Sequence, residues 1–64
     1  MELQDDTDYR VKFLFSHGLV EDYSVDGQSL TRFLLSTSPL SVLMDHNEIS
    51  VLINKTNVSR VVIT

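Results

Sequence analysis

The chain contains no cysteine and no tryptophan, and only one proline and two glycines. Without cysteine, a disulfide framework and a thiolate metal site are both excluded. The two glycines form neither G-x-G-x-x-G nor G-K-[ST], so no phosphate-cradling loop is present. No stretch approaches the roughly 20 apolar residues a membrane-spanning helix needs. Bases are scarce: five against nine acids, for a net charge of −4. Arg10, Lys12, Arg32, Lys55 and Arg60 are dispersed along the chain. A nucleic-acid binder concentrates its bases, so the balance argues against that partner.

What is present is one small domain of 64 residues, 42% hydrophobic with five aromatics. A chain this short buries only about 60% of its unfolded surface, which leaves its core a thin margin. With disulfides and thiolate metals gone, self-association is the remaining support. The acidic start MELQDDTD lacks the basic opening and apolar run of a signal peptide. An initiator methionine and the absence of cysteine read as cytoplasmic.

Residues 1–8 read as a flexible acidic arm, and residues 9–64 as the single domain. From Tyr9 the pattern has period two: Tyr9, Val11, Phe13 and Phe15 share one face of a strand. A three-residue loop Ser16-His17-Gly18 places glycine at a positive-φ position. It pairs Phe15 with Leu19, Val11 with Tyr23, Tyr9 with Val25, and Lys12 with Asp22. A two-residue loop would oppose Phe13 to Asp22, and a slip of one flips every side chain. Leu30, Phe33 and Leu34 have helix spacing, predicting a helix over about 28 to 37. Asp26 or Ser29 caps it, and Pro39 forbids its continuation.

Leu40, Val42 and Met44 alternate, as do Ile49, Val51 and Ile53. A tight turn at His46-Asn47, with asparagine left-handed, would pair Met44 with Ile49 and Val42 with Val51. A loop Lys55-Thr56-Asn57, with Asn57 left-handed, would then pair Val51 with Val61 and Ile49 with Ile63. Two N-x-[ST] triplets, at Asn54 and Asn57, fall in this stretch and read as turn chemistry rather than sugar acceptors. The predicted fold is α+β: a small antiparallel sheet in ββαβββ order with one short helix packed on it, curled and barrel-like in one variant.

A single helix cannot cover both faces of such a sheet. Leu52, Val58, Arg60 and Val62 therefore form the candidate interface of a homodimer or higher homo-oligomer, with the C-terminal strand at an edge.

No catalytic constellation is visible. His17 and His46 fall at turn tips, and the serines have no oriented base. Asp45-His46-Asn47-Glu48 matches no calcium or zinc spacing. No cofactor is implied, and the chain reads as a non-enzyme. Glu21 stands out because Phe13 is placed directly opposite it, at a sheet margin or buried with a raised pKa.

Three functions fit these residues. The first is a small oligomeric interaction protein whose acids Glu21, Asp22, Asp45 and Glu48 steer it to a larger, more basic protein partner. In size, acidity and lack of cysteine, the chain resembles small accessory and inhibitor proteins of bacteria and their phages, a likeness of composition without a shared motif. The second is an oligomer that binds a small anionic nucleotide or metabolite through Arg10, Lys12, Arg32 and Arg60. The third is a structural subunit of a larger assembly, joined through strand edges.

Overall fold

The computed structural model describes residues 3–64. Its elements are strands β1 (Asp8–Phe15) and β2 (Val20–Asp26), helix α1 (Gly27–Leu35), strands β3 (Leu40–Met44) and β4 (Ser50–Asn54), a 3-10 turn (Lys55–Asn57), and strand β5 (Val58–Ile63). The ββαβββ order and α+β class are as the sequence indicates. The strands form two antiparallel sheets, β2-β1-β5 and β3-β4, which do not close into a barrel.

The first hairpin has the predicted register, with Tyr9 opposite Val25, Val11 opposite Tyr23 and Lys12 opposite Asp22. Its loop turns on Gly18 at φ +96, where a Cβ would meet no neighbour within 4 Å. The left-handed backbone, not space, therefore demands glycine there.

Helix α1 begins where Asp26, in extended conformation, accepts a hydrogen bond from the Ser29 N–H at 2.8 Å. It ends at Leu35, two residues earlier than predicted, because Ser36 is already extended. Leu30 and Phe33 enter the core as predicted, but Leu34 is 42% exposed. Residues 3–7 fold back on the helix start: the Gly27 N–H donates to Thr7 O and the Gln28 N–H to Asp5 O. Leu3 packs against the core, while the acids of this segment stay exposed.

The second hairpin departs from prediction by one residue. Val42 pairs with Leu52 and Leu43 with Val51, in place of Met44 with Ile49 and Val42 with Val51. The left-handed residue is Glu48 at φ 63, not Asn47. The cause is Asp45, whose carboxylate accepts from the Asn47 and Ile49 N–H groups, each at 2.9 Å. That capped loop absorbs one more residue than a tight turn. A shift of one turns Ser41 and Leu43 inward and sends Leu40, Val42 and Met44 out. Buried Ser41 remains satisfied, donating to Ser38 O at 3.0 Å, also 3.0 Å from Ser36 Oγ.

The predicted β4–β5 hairpin does not form. Asn54 caps the 3-10 turn by accepting from the Thr56 N–H and hydroxyl, and Asn57 is not left-handed. The turn delivers β5 to the free edge of β1, where Phe13 opposes Val61 and Lys12 opposes Val62. A bulge between Leu14 and Phe15 absorbs Ser59, whose hydroxyl donates to Leu14 O at 3.0 Å. The core gathers Val11, Phe13 and Val25 from the larger sheet, Leu30 and Phe33 from the helix, and Leu43 and Ile53 from the smaller sheet. Phe13 stands at its centre, edge-on to Phe33 and Tyr23 at centroid distances of 5.5 and 5.9 Å.

Candidate interaction surfaces

The register of β3 creates the first surface. Leu40, Val42, Met44 and Leu52 project from the outer face of the β3–β4 hairpin, each 45–62% exposed. The polar residues of that face are Ser50 and Asn54, and neither is charged. Four aliphatics on one small hairpin approach the few hundred Å² of contiguous apolar surface at which interaction sites begin. Sequence reasoning missed three of the four. The available signal was Asp45, an aspartate placed to cap a loop two residues on.

Met44 links this face to an acidic hollow. Asp5, Asp6, Asp8, Asp26, Asp45 and Glu48 line it, together with His46. His46 Nδ1 lies 3.4 Å from Asp8 Oδ2, with both side chains more than half exposed. Its backbone N–H donates to Ser24 O at 2.7 Å, tying the small hairpin to β2. Among the described residues, no group of three or more histidines and acids has metal-binding geometry. On the other flank of the face, Arg32 lies beside Val42 and Met44.

The four predicted steering acids separate. Asp45 and Glu48 join the hollow. Asp22 lies on the outer face of the large sheet, opposite Lys12. Glu21 turns inward on the half-buried margin of β2 and accepts a 2.6 Å hydrogen bond from the Tyr23 hydroxyl. Burial, then that bond, then the negative charges of Glu21 and Asp45 push the Tyr23 phenol up to about 12. Asp26 moves the opposite way: its bonds from Ser29 hold its carboxyl below the usual range.

The four predicted anion contacts come together in part. Arg10, Lys12 and Arg60 share the outer face of the large sheet with Leu14, Val20 and Val62, whereas Arg32 is on the helix. Among the described residues, none of these cations lies within ion-pair distance of a carboxylate. His17 and His46 fall at opposite ends of β1, since His17 follows its last residue and His46 contacts its first. His17 stacks on Phe15 at 5.7 Å.

The predicted oligomer residues also separate. Leu52 belongs to the small-sheet face. Val58 is half-buried on the inner side opposite Phe15, while Arg60 and Val62 point outward from the large sheet. β5 is nevertheless an edge strand in the order β2-β1-β5. Beside it, Phe13, Phe33, Leu34, Val58 and Val61 line an open cleft of about 260 Å³. Lys55 forms its lip, donating to Ser36 O at 2.7 Å with its ammonium 4.8 Å from the Phe33 ring centre.

The chain matches no family model, no curated protein and no solved structure. Among the described residues, no helix is long and apolar enough to cross a membrane.

Proposed function

We propose that this chain is a small non-enzymatic interaction protein, an accessory or inhibitor protein that works as a homo-oligomer and docks a larger protein. The observation that carries the reading is the uncharged aliphatic face of the β3–β4 hairpin. Leu40, Val42, Met44 and Leu52 stand in water on a domain whose core is small. The acidic hollow reached through Met44 supplies one charged border. The partner surface that complements both is an apolar patch rimmed by bases. The contact area provides the affinity, and the acids speed and orient encounter. The cysteine-free composition supports a cytoplasmic setting.

The test is capture of partners from host lysate by the wild type and by a Val42→Lys/Leu52→Glu variant. Both substituted positions are more than half exposed and lie directly opposite each other, so the new charges pair across the strands and the variant keeps its fold. A protein retained by the wild type, released by added salt and lost by the variant supports the reading. Identical capture by both, or none by either, sinks it.

A second reading draws on the convergence of Arg10, Lys12 and Arg60. Three cations on one sheet face suit a small anionic ligand such as a nucleotide. A thermal-shift panel of nucleotides and phosphorylated metabolites separates the two, because the protein-docking reading predicts silence across it.

A further inference from the structure

The large sheet has two outer edges, and they are defended differently. β2 carries Glu21, Asp22 and Asp26 in seven residues, and His46 bonds to its Ser24 carbonyl. Charged side chains and a covering loop are the usual protection of a strand edge. β5, Val58-Ser-Arg-Val-Val-Ile63, has no acid and only Arg60, and no strand among the described residues pairs with its outer side. Its inward-facing Val61 is 36% exposed, because the cleft beside Leu34 leaves it uncovered.

The hydrogen-bond pattern fixes what this edge offers. Arg10 and Thr64 exchange both backbone bonds, at 3.1 and 3.0 Å. Pairing alternates in an antiparallel ladder, so Val62 and Arg60 also aim their N–H and C=O groups at β1. Val61 and Ile63 therefore aim theirs outward. The first hairpin agrees: the Phe15 N–H donates to Leu19 O, so the odd residues of β1 serve β2 and the even ones serve β5.

We infer that a second copy of this chain occupies the edge, its β5 antiparallel to the first across a two-fold axis at Val61. This deepens the proposed function and rests on its oligomer reading. An axis at Val61 gives residues 58–64 full overlap and makes Val61 with its symmetry mate a hydrogen-bonded pair. It sets Ser59 against Ile63 and Arg60 against Val62. An axis at Arg60 would oppose two like charges, and like charges directly opposite destabilise. Net charge −4 repels copies elsewhere, whereas this edge meets its mate without an acid on either side. The product is a continuous six-stranded sheet with the two Val61 side chains adjacent on its inner layer.

The cysteine-free chain permits a direct test. The dimer is first established for the wild type by light scattering. Backbone exchange is then followed residue by residue by NMR at high and low protein concentration. The Val62 and Arg60 amides are protected in both, because they bond to β1. The Val61 and Ile63 amides slow by roughly tenfold or more only in the dimer, since their new bonds must open first. In parallel, Val61→Cys and Leu52→Cys are oxidised separately. A hydrogen-bonded pair has Cα atoms about 5.5 Å apart, inside the disulfide range of about 4.4–6.8 Å, so Val61→Cys cross-links. A dimer whose Val61 and Ile63 amides exchange freely, or which cross-links through Leu52→Cys alone, overturns the seam but leaves the oligomer standing. A chain that stays monomeric at millimolar concentration overturns both.

Discussion

Replacing Leu43 and Val42 by alanine, one at a time, tests the register of β3 with two adjacent residues. Leu43 is 0% exposed and Val42 is 57% exposed. Emptying a fully buried leucine site costs about 2–5 kcal/mol, the transfer of the lost atoms plus the cavity they leave. Val42 loses two methyl groups, already more than half in water. At about 0.8 kcal/mol per buried methylene-sized group, its cost is about 0.7 kcal/mol. A chain of 64 residues is held together by about 3–10 kcal/mol, from the usual stability per residue. Leu43→Ala therefore removes about a fifth of the total or more, and Val42→Ala less than about a quarter. The assay is urea denaturation followed by circular dichroism, at one protein concentration because an oligomer's stability depends on it. In the register slipped by one, Val42 points inward and becomes the costly site. Equal losses, or a greater loss at Val42, would refute the assigned register and the apolar face built on it.

The remaining predictions concern single groups. Tyr23 titrates late: in Tyr9→Phe, phenolate absorbance rises with a midpoint near 12 rather than 10.0, and Glu21→Gln lowers it. Because the folded pKa is the raised one, the stability this group contributes is intact below pH 10 and is lost as pH climbs towards 12. A midpoint at the ordinary value would refute the half-buried Tyr23–Glu21 bond. Asp26→Ala costs about 1 kcal/mol by melting, as the loss of a helix cap does. The carboxyl of Asp26 is held low, so its contribution is present above its ordinary pKa of 3.8 and fades as pH falls below it. A wild type and Asp26→Ala that lose stability in parallel through that range would count against the cap. Gly18→Val destabilises more than Gly18→Asn, since asparagine tolerates φ +96 far better than a β-branched residue. Gly27→Ala detaches residues 3–7, because its Cβ would overlap Gln4 O; unchanged backbone shifts in that segment would refute the docking.

The first hairpin was legible in full because its two candidate loops gave opposite apolar matches. Only one register set Val11 against Tyr23 and kept Phe13 away from Asp22, and Gly18 supplied the φ it required. The second hairpin had no such contrast. Leu40, Val42, Leu43 and Met44 are nearly consecutive aliphatics, so either face of β3 could pass for the core face. The decision fell to a carboxylate in the loop, and periodicity does not register loop hydrogen bonds. β5 failed for another reason. Local reasoning pairs a strand with its nearest neighbour in sequence, but the Asn54-capped turn carries it past β4 to a partner about 45 residues away, as Ser59 to Leu14 records. Its edge position survived that error, and so did the inward face of Val61 and Ile63 and the outward face of Arg60 and Val62; Val58 alone changed sides, because the bulge at Ser59 turns it inward. Catalytic and metal chemistry was never visible in the sequence, and the two histidines end up at opposite ends of one strand.

The two uncovered surfaces have different chemistry, and this assigns them different occupants. An open strand edge is filled by backbone, and its outward pairs at Val61 and Ile63 form a pattern that a second copy can mirror about one axis. The outer face of the β3–β4 hairpin presents side chains rather than backbone groups. It recognises by shape and apolar area, with acids on one side and Arg32 on the other. Joining two chains at β5 leaves both aliphatic faces free, because Leu52 and Val61 belong to different sheets. Each assembly then presents two identical docking faces at a fixed separation. A partner that is itself two-fold can engage both. Its second contact becomes intramolecular and gains avidity of about 10²–10⁴ over one face, provided the spacings match. A substitution that splits the β5 seam without touching Leu40, Val42, Met44 or Leu52 should therefore weaken such a partner far more than a monomeric one. That contrast measures whether self-association serves binding or only stability.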